Sequence, residues 1–306
     1  MTAQTATAEP ETAARLRAPR RKAAPFLLLA PALAVVLVLF GGGLLLGGLQ
    51  ALGHIPGAEL STLTLDHFRR LTHDPDVWQS LLLTLYVSTA STAVAAALSV
   101  GAALAFTAGG HGRFVRFVFQ LPLTVPHLVV AVAVMFLLAP AGLLSRAAAA
   151  VGLVDGPAAF PLLVNDRWCV GIVAAYVWKE VPFITLMLLA VLARSGPELL
   201  EVGRTLKAGR WQRFRHITLP IIFPSLGAAA LIVFAYTFGA FEVPYLLGRT
   251  HPMLLPVWSY RSYSDVDLVA RPEGIAAGLL IAAVVTVAVV AGQALTQAAR
   301  RRGVAL

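Results

Sequence analysis

Six stretches of this chain run for about twenty residues or more with almost no charge, at 26–46, 80–106, 119–140, 169–193, 223–247 and 274–297. A helix rises 1.5 Å per residue, so roughly 20 apolar residues cross the hydrocarbon core of a bilayer. Inside lipid every backbone N–H and C=O has to be satisfied, and uninterrupted apolar runs do that as helices. Composition agrees: of 306 residues, 58% are hydrophobic and 13% charged, against about 25% charged in an average soluble domain. The expected fold is an all-α membrane protein of six transmembrane helices. The first stretch is too long for a removed signal peptide and lacks a cleavage site, so an uncleaved anchor is expected at 26–46.

The cations set the orientation, because short cytoplasmic loops carry the Lys/Arg excess. Arg15, Arg17, Arg20, Arg21 and Lys22 lie in the tail 1–25, Arg113 and Arg116 in the next loop on that side, six more at 194–222, and Arg300, Arg301 and Arg302 in the tail 298–306. The opposite side has Arg69, Arg70, Arg146, Arg167, Arg249, Arg261 and Arg271, spread over longer segments. Both termini and the loop at 194–222 are therefore expected in the cytoplasm. The net charge of +9 comes from residues flanking spans and does not form one basic patch, so no nucleic-acid partner is expected. One cysteine, Cys169, excludes an intrachain disulfide. No metal-ligand spacing, nucleotide-cradling glycine loop or catalytic constellation occurs, so no metal, cofactor or catalytic residue is assigned.

Between the fourth and fifth stretches lies a polar island, SGPELLEVGRTLKAGRWQRFRHITLPIIFP, at 195–224. Ser195 followed three residues on by Glu198 reads as a capping box with Pro197 in the first turn, predicting a short helix that starts there and stops near Gly209. Glu201, Arg204 and Lys207 recur at spacing three on its polar face. Trp211, Phe214 and Ile217 repeat at the same spacing as a second short amphipathic element, before Pro220 and Pro224. A loop serving topology alone needs none of this patterning; the island is built to touch a cytoplasmic partner.

Glu201-Val202-Gly203, Ala208-Gly209, Phe214, Ile217, Leu219-Pro220 and Pro224 resemble the EAA loop of the membrane subunits of binding-protein-dependent ABC importers, usually written E-A-A, three residues, G, nine residues, I, one residue, L-P. Three positions depart from it: Val202 and Gly203 replace the alanines, and Lys207 stands at the motif glycine, so that Gly209 supplies the bend or the turn differs. Thr64-Leu65, Phe68, Leu71, Asp74-Pro75 and Trp78 before Ser80-Leu81 resemble the lead-in to the core of such permeases. LPLTVPHLVV at 121–130, YVWKEVPF around Lys179, and FGAFEVPYLLG around Glu242 resemble the polyamine-type members of the family.

The resemblance implies a type I (MetI-like) permease of the bacterial inner membrane, closest to spermidine/putrescine permeases. Its five-helix core would occupy 80–297 with coupling helices at 195–222. The ATPase-coupling residues carried over are Glu201, Gly203, Lys207, Ala208, Gly209, Phe214, Leu219 and Pro220. The implied partners are ABC ATPase subunits, a second permease subunit (a copy of itself or a homologue) and an extracytoplasmic solute-binding protein. ATP would be hydrolysed on the partner chain, so this subunit is not itself an enzyme. The solute would be a polyamine or another small organic cation.

Charges inside the apolar runs mark the candidate translocation path. A bare charge at the bilayer centre costs at least ~2.5–3.5 kcal/mol, so Lys179, Glu180 and Glu242 have to face protein or water. Two readings stand. Lys179 pairs with Glu242 and holds two helices in register, or Glu180 and Glu242, with Tyr176, Trp178 and Tyr245, line a path favouring a cation. Pro122, Pro126, Pro182 and Pro244 lie within the runs and kink helices, statically or as part of a gate. An ion-coupled secondary transporter using Lys179, Glu180 and Glu242 as a relay is the rival; the absence of an internal repeat weighs against it.

Overall fold

A computed structural model of the chain describes residues 24–54, 63–109 and 112–301. It divides into two units, at residues 1–47 and 48–306. In the first, α1 (Ala24–Val36) continues through a π-helical turn, Leu37–Gly41, into α2 (Gly42–Ala51), whose last four residues belong to the second unit. Residues 1–23 and 302–306, with Arg15, Arg17, Arg20, Arg21, Lys22 and Arg302, lie outside the described residues.

The second unit holds α3 (Asp66–His73), α4 (Pro75–Ala108), α5 (Arg113–Thr124), α6 (His127–Leu138), α7 (Leu143–Ala150), α8 (Val170–Thr205), α9 (Arg210–Arg213), α10 (Leu219–Gly239), α11 (Glu242–Leu247), α12 (Leu255–Tyr263) and α13 (Arg271–Arg301). No strand occurs among the described residues. Six helical segments are long and apolar enough to span a membrane: 28–51, 75–108, 127–150, 170–194, 210–239 and 268–296.

Local sequence explains where the long helices start. Asp74 accepts a hydrogen bond from the Asp76 amide at 2.8 Å, and Pro75 occupies the first turn of α4, where its missing N–H costs nothing. At α8 the Asp166 carboxylate accepts from the amides of Trp168 and Val170, both at 2.9 Å, satisfying donors the helix leaves open. Cys169, between them, is buried in a left-handed backbone conformation. Burial, and then the Asp166 charge, push its thiol up to about 11, so it is an unreactive packing residue.

The centre of the unit is α4 against α8, with α10 packed on both and α13 on α10. On α4 the inward face is a seam of small side chains, Ser80, Thr84, Ser88, Ser91, Ala95, Ser99 and Ala103, each at most 1% exposed. Their three- and four-residue spacing keeps them on one face, and their size lets the α8 backbone come close. Ser99 donates to the Val181 carbonyl of α8 at 3.0 Å. Three apolar clusters fill the unit among the described residues: one around Tyr176, Ile172 and Val243, a second around Ile184, Leu188 and Ile222, and a third of Leu71, Val77, Leu255 and Ala277.

Three expectations change. The third apolar run is not one helix, since α5 ends at Thr124 and α6 starts at His127, across the Val125-Pro126 pair. A residue before proline is pushed out of the helical region, and proline cannot donate back into the preceding turn. The fifth run is likewise interrupted at Ala240-Phe241, so Glu242 opens α11 and lies outside the span 210–239. Finally, no helix starts at Ser195: α8 continues unbroken to Thr205. A Ser-x-x-Glu spelling caps a helix only where the serine precedes the first turn, and here the turn before it is already helical.

Candidate functional site

The first site is the turn after α8. Glu201 sits exposed in the last turns of that helix, which ends at Thr205. The amide of Lys207 reaches back to the Arg204 carbonyl at 2.9 Å and that of Ala208 to the Gly203 carbonyl at 3.0 Å, closing the helix end. Lys207 carries the reversal, with φ of 55°. Gly209 has φ of −63° and opens α9 as its N-cap, donating its amide to the Gln212 side chain at 2.9 Å. The bend therefore falls on Lys207, the position of the motif glycine, and not on Gly209. A non-glycine residue in this region costs about 1–2 kcal/mol.

Gly203 is buried where the two arms meet: a Cβ there would come within 2.7 Å of Ile217 Cδ1 and 3.2 Å of Arg213 Cγ. Phe214, half-buried, stacks on Trp211 with ring centroids 5.4 Å apart. Phe214–Thr218 is a π-helical segment, and Leu219 and Pro220 follow as the first turn of α10. The wider turn ahead of Pro220 accommodates its missing donor. The structure thus brings Glu201, Gly203, Lys207, Ala208, Gly209, Phe214, Leu219 and Pro220 into one bent connection between α8 and α10.

The second site lies inside the bundle. Lys179 is 7% exposed and donates to the carbonyls of Pro122 at 2.7 Å and Val125 at 2.6 Å. These are acceptors that the α5–α6 break leaves without helical donors. Lys179 therefore holds α8 to that break, and among the described residues its partner is not Glu242, because the ammonium is taken up by backbone. Glu180, one position on and 8% exposed, meets His127 Nε2 at 3.5 Å. His127 in turn lies against Tyr236 of α10 with centroids 4.7 Å apart. Tyr176 is fully buried and its hydroxyl has no hydrogen-bond partner among the described residues.

Trp178 and Tyr245 stay outside that buried group, 47% and 48% exposed. Glu242 is exposed too. Tyr245 instead joins Phe241 and Tyr260, with centroid separations of 4.9, 4.4 and 6.0 Å, as an aromatic surface next to Glu242. Sequence reasoning missed His127, Tyr236 and Tyr260. His127 carried a usable signal, as a titratable residue in an otherwise apolar run; the two tyrosines carried none.

A family model, described as the inner membrane component of binding-protein-dependent transport systems, matches residues 97–302. The chain belongs to this family. The matched range covers the whole connection from Glu201 to Pro220 and every residue of the buried group. Among curated relatives of this membrane component, the inner membrane ABC transporter permease protein YnjC of Escherichia coli is 32% identical over 227 residues, covering 72% of this chain and 41% of YnjC. YdcU of the same organism, also an inner membrane ABC transporter permease protein, is 31% identical over 235 residues, covering 72% of this chain and 74% of YdcU. The diacetylchitobiose uptake system permease protein DasB of Streptomyces coelicolor is 24% identical, covering 78% of this chain and 76% of DasB. The membrane component thus spans less than half of YnjC but about three quarters of the other two. Its fold is also that of a bacterial ABC transporter that imports alginate, with a TM-score of 0.74 at 22% identity over 89% of this chain and 94% of the other.

Proposed function

We propose that the chain is the permease subunit of an ABC importer, forming the solute path and taking its energy from ATP hydrolysed on a separate subunit. The observation that carries this is the connection between α8 and α10: an exposed Glu201 on a long helix, and a bend at the residue where the family places its glycine. Glu201, Gly203, Lys207, Ala208, Gly209, Phe214, Leu219 and Pro220 act as the coupling residues docked on the ATPase. A second permease subunit completes the path, and a solute-binding protein delivers to it. A related alginate transporter has been solved with a pentasaccharide-bound periplasmic protein, which supports such a partner. An ion-coupled carrier is disfavoured by family membership, and Lys179, bonded to backbone, is not free to relay protons. The test is a pull-down of the tagged chain from mildly solubilised membranes. Glu201→Lys lowers co-purifying ATPase activity at least about tenfold while membrane insertion is unchanged; full recovery of ATPase with that variant rejects the coupling assignment.

For the solute we favour a small organic cation such as a polyamine. Glu180 inside the bundle and the exposed Glu242 at the start of α11 are both carboxylates, the Lys179 ammonium is bound to carbonyls, and Phe241, Tyr245 and Tyr260 offer aromatic faces next to Glu242. Aromatic faces attract cations by about 0.5–2 kcal/mol, whereas an oxyanion would be repelled by both carboxylates. Glu242→Gln is expected to reduce uptake of labelled putrescine by roughly tenfold, the effect of ~1.4 kcal/mol, with assembly intact. Unchanged putrescine uptake, or uptake of a neutral oligosaccharide in its place, refutes the cationic solute.

A further inference from the structure

The contact between His127 and Glu180 is unlike the Lys179 contact beside it. Lys179 makes two bonds, of 2.7 and 2.6 Å, to backbone carbonyls and is held by them. Glu180 meets His127 Nε2 at 3.5 Å, and among the described residues its carboxylate has no other hydrogen bond. A carboxylate accepts about four, so most of its capacity is unfilled near the middle of the span 170–194. The two side chains are 24% and 11% exposed, and Tyr236, against the imidazole, is 40% exposed, so the pair can be reached from outside the chain. A charge at that depth faces lipid only at a cost of at least ~2.5–3.5 kcal/mol. The open side therefore belongs to water or to a second subunit, where the proposed solute path runs.

The imidazole is the group here that ordinarily changes charge between pH 5 and 8. The elements packed on α6 are α7, α8 and α11, with α10 reaching it through Tyr236. They carry Arg146 on α7, Tyr176 and Lys179 beside Glu180 on α8, and Glu242 and Tyr245 on α11. Guanidinium, phenol, ammonium and carboxylate groups ordinarily titrate outside that interval.

We infer that His127 is a positioning residue of the solute path: its imidazolium holds Glu180 until an ammonium group of the solute takes its place. The inference rests on the cationic solute read above. In the exchange the solute N–H donors move onto the Glu180 oxygens, the imidazolium gives its proton to water, and the Tyr236 ring offers its face to the incoming charge. A neutral or anionic solute has no charge with which to displace imidazolium, so the pair discriminates against both. Transfer is slow where His127 is protonated and competes for Glu180, and fast where it is neutral.

The test is uptake of labelled putrescine by proteoliposomes holding the full chain with its co-purifying partners, the solute-binding protein loaded and in excess, at external pH 5.5 and 7.5. The wild-type rate is expected to be at least about fivefold lower at pH 5.5. His127→Gln, always neutral, is expected to give rates within twofold of each other at the two pH values. His127→Lys, always charged, is expected to be at least fivefold slower than the wild type at pH 7.5 and equally slow at pH 5.5. A role in packing alone lowers both variants and leaves the wild-type pH step in each; that outcome, or a wild-type rate flat in pH, overturns the inference. Absence of putrescine uptake by the wild type refutes the cationic solute and the inference together, whereas uptake without the pH step refutes the inference alone. Should His127→Gln not co-purify with its partners, Glu180→Gln decides in its place: a flat profile supports the pair as the source of the step, and a fivefold step rejects it.

Discussion

Two adjacent residues on α8 show how differently neighbouring charges in a span are used. Lys179 and Glu180 point about 100° apart on the helix, and the structure sends one to backbone carbonyls and the other to His127. Removing the ammonium leaves the Pro122 and Val125 carbonyls without this donor inside the bundle, each costing about 1–3 kcal/mol. Lys179→Met is therefore expected to destabilise the purified permease by roughly 2–5 kcal/mol in thermal unfolding, while Glu242→Gln leaves the midpoint nearly unchanged. If the two variants unfold alike, the carbonyl bonds are not what Lys179 supplies. The charges were legible because they interrupt apolar runs. Their partners were not, because a carbonyl freed 54 or 57 residues away has no letter in the sequence. Lys207 has the same character: its spacing from Glu201 and Leu219 marks the bend, yet nothing about a lysine announces a positive φ.

At the scale of elements, the apolar runs were readable and their interruptions less so. Pro126 and Gly239 stood in plain view, but whether a proline kinks a helix or ends it depends on what satisfies the freed carbonyls, and that comes from another helix. The Ser-x-x-Glu signature misled for a related reason. Local spelling proposes a helix start, whereas the packing of α8 on α4 and α10 carries the helix straight through it. The small-residue seam of α4 is the element on which that packing depends. Ala95, at 0% exposure in its middle, leaves no room for the three heavy atoms that leucine adds. Ala95→Leu overpacks the contact at a cost of about 1–3 kcal/mol or more. Its expected result is rapid tryptic cleavage within the 194–222 loop in membranes, while Ala105→Leu, at an exposed position of the same helix, keeps wild-type resistance. Equal resistance of both variants rejects the seam as the contact surface.

For the whole molecule, the uneven distribution of cations predicts which side each loop occupies. Cys169 is buried, so Cys169→Ala provides a background for single reporters. Val266→Cys, at a position 98% exposed, is expected to react with an impermeant maleimide in intact spheroplasts. Ala108→Cys, at the other end of the bundle, reacts only after the membrane is opened. The reverse pattern inverts the topology and removes the connection at Lys207 from the reach of a cytoplasmic ATPase.

Lys179 also has a mechanical meaning. Two short bonds from one tetrahedral ammonium tie α8 to the α5–α6 break at a single point, which would be the fulcrum of any tilt of that helix. At 1.5 Å per residue the arm towards Glu201 is about 33 Å long and the arm towards Val170 about 14 Å. A tilt that swings the loop end by roughly 5 Å moves the opposite end by only about 2 Å in the other direction. On the coupling role proposed above, a stroke at the loop end arrives beside Asp166 and Cys169 reduced to about two fifths of its size.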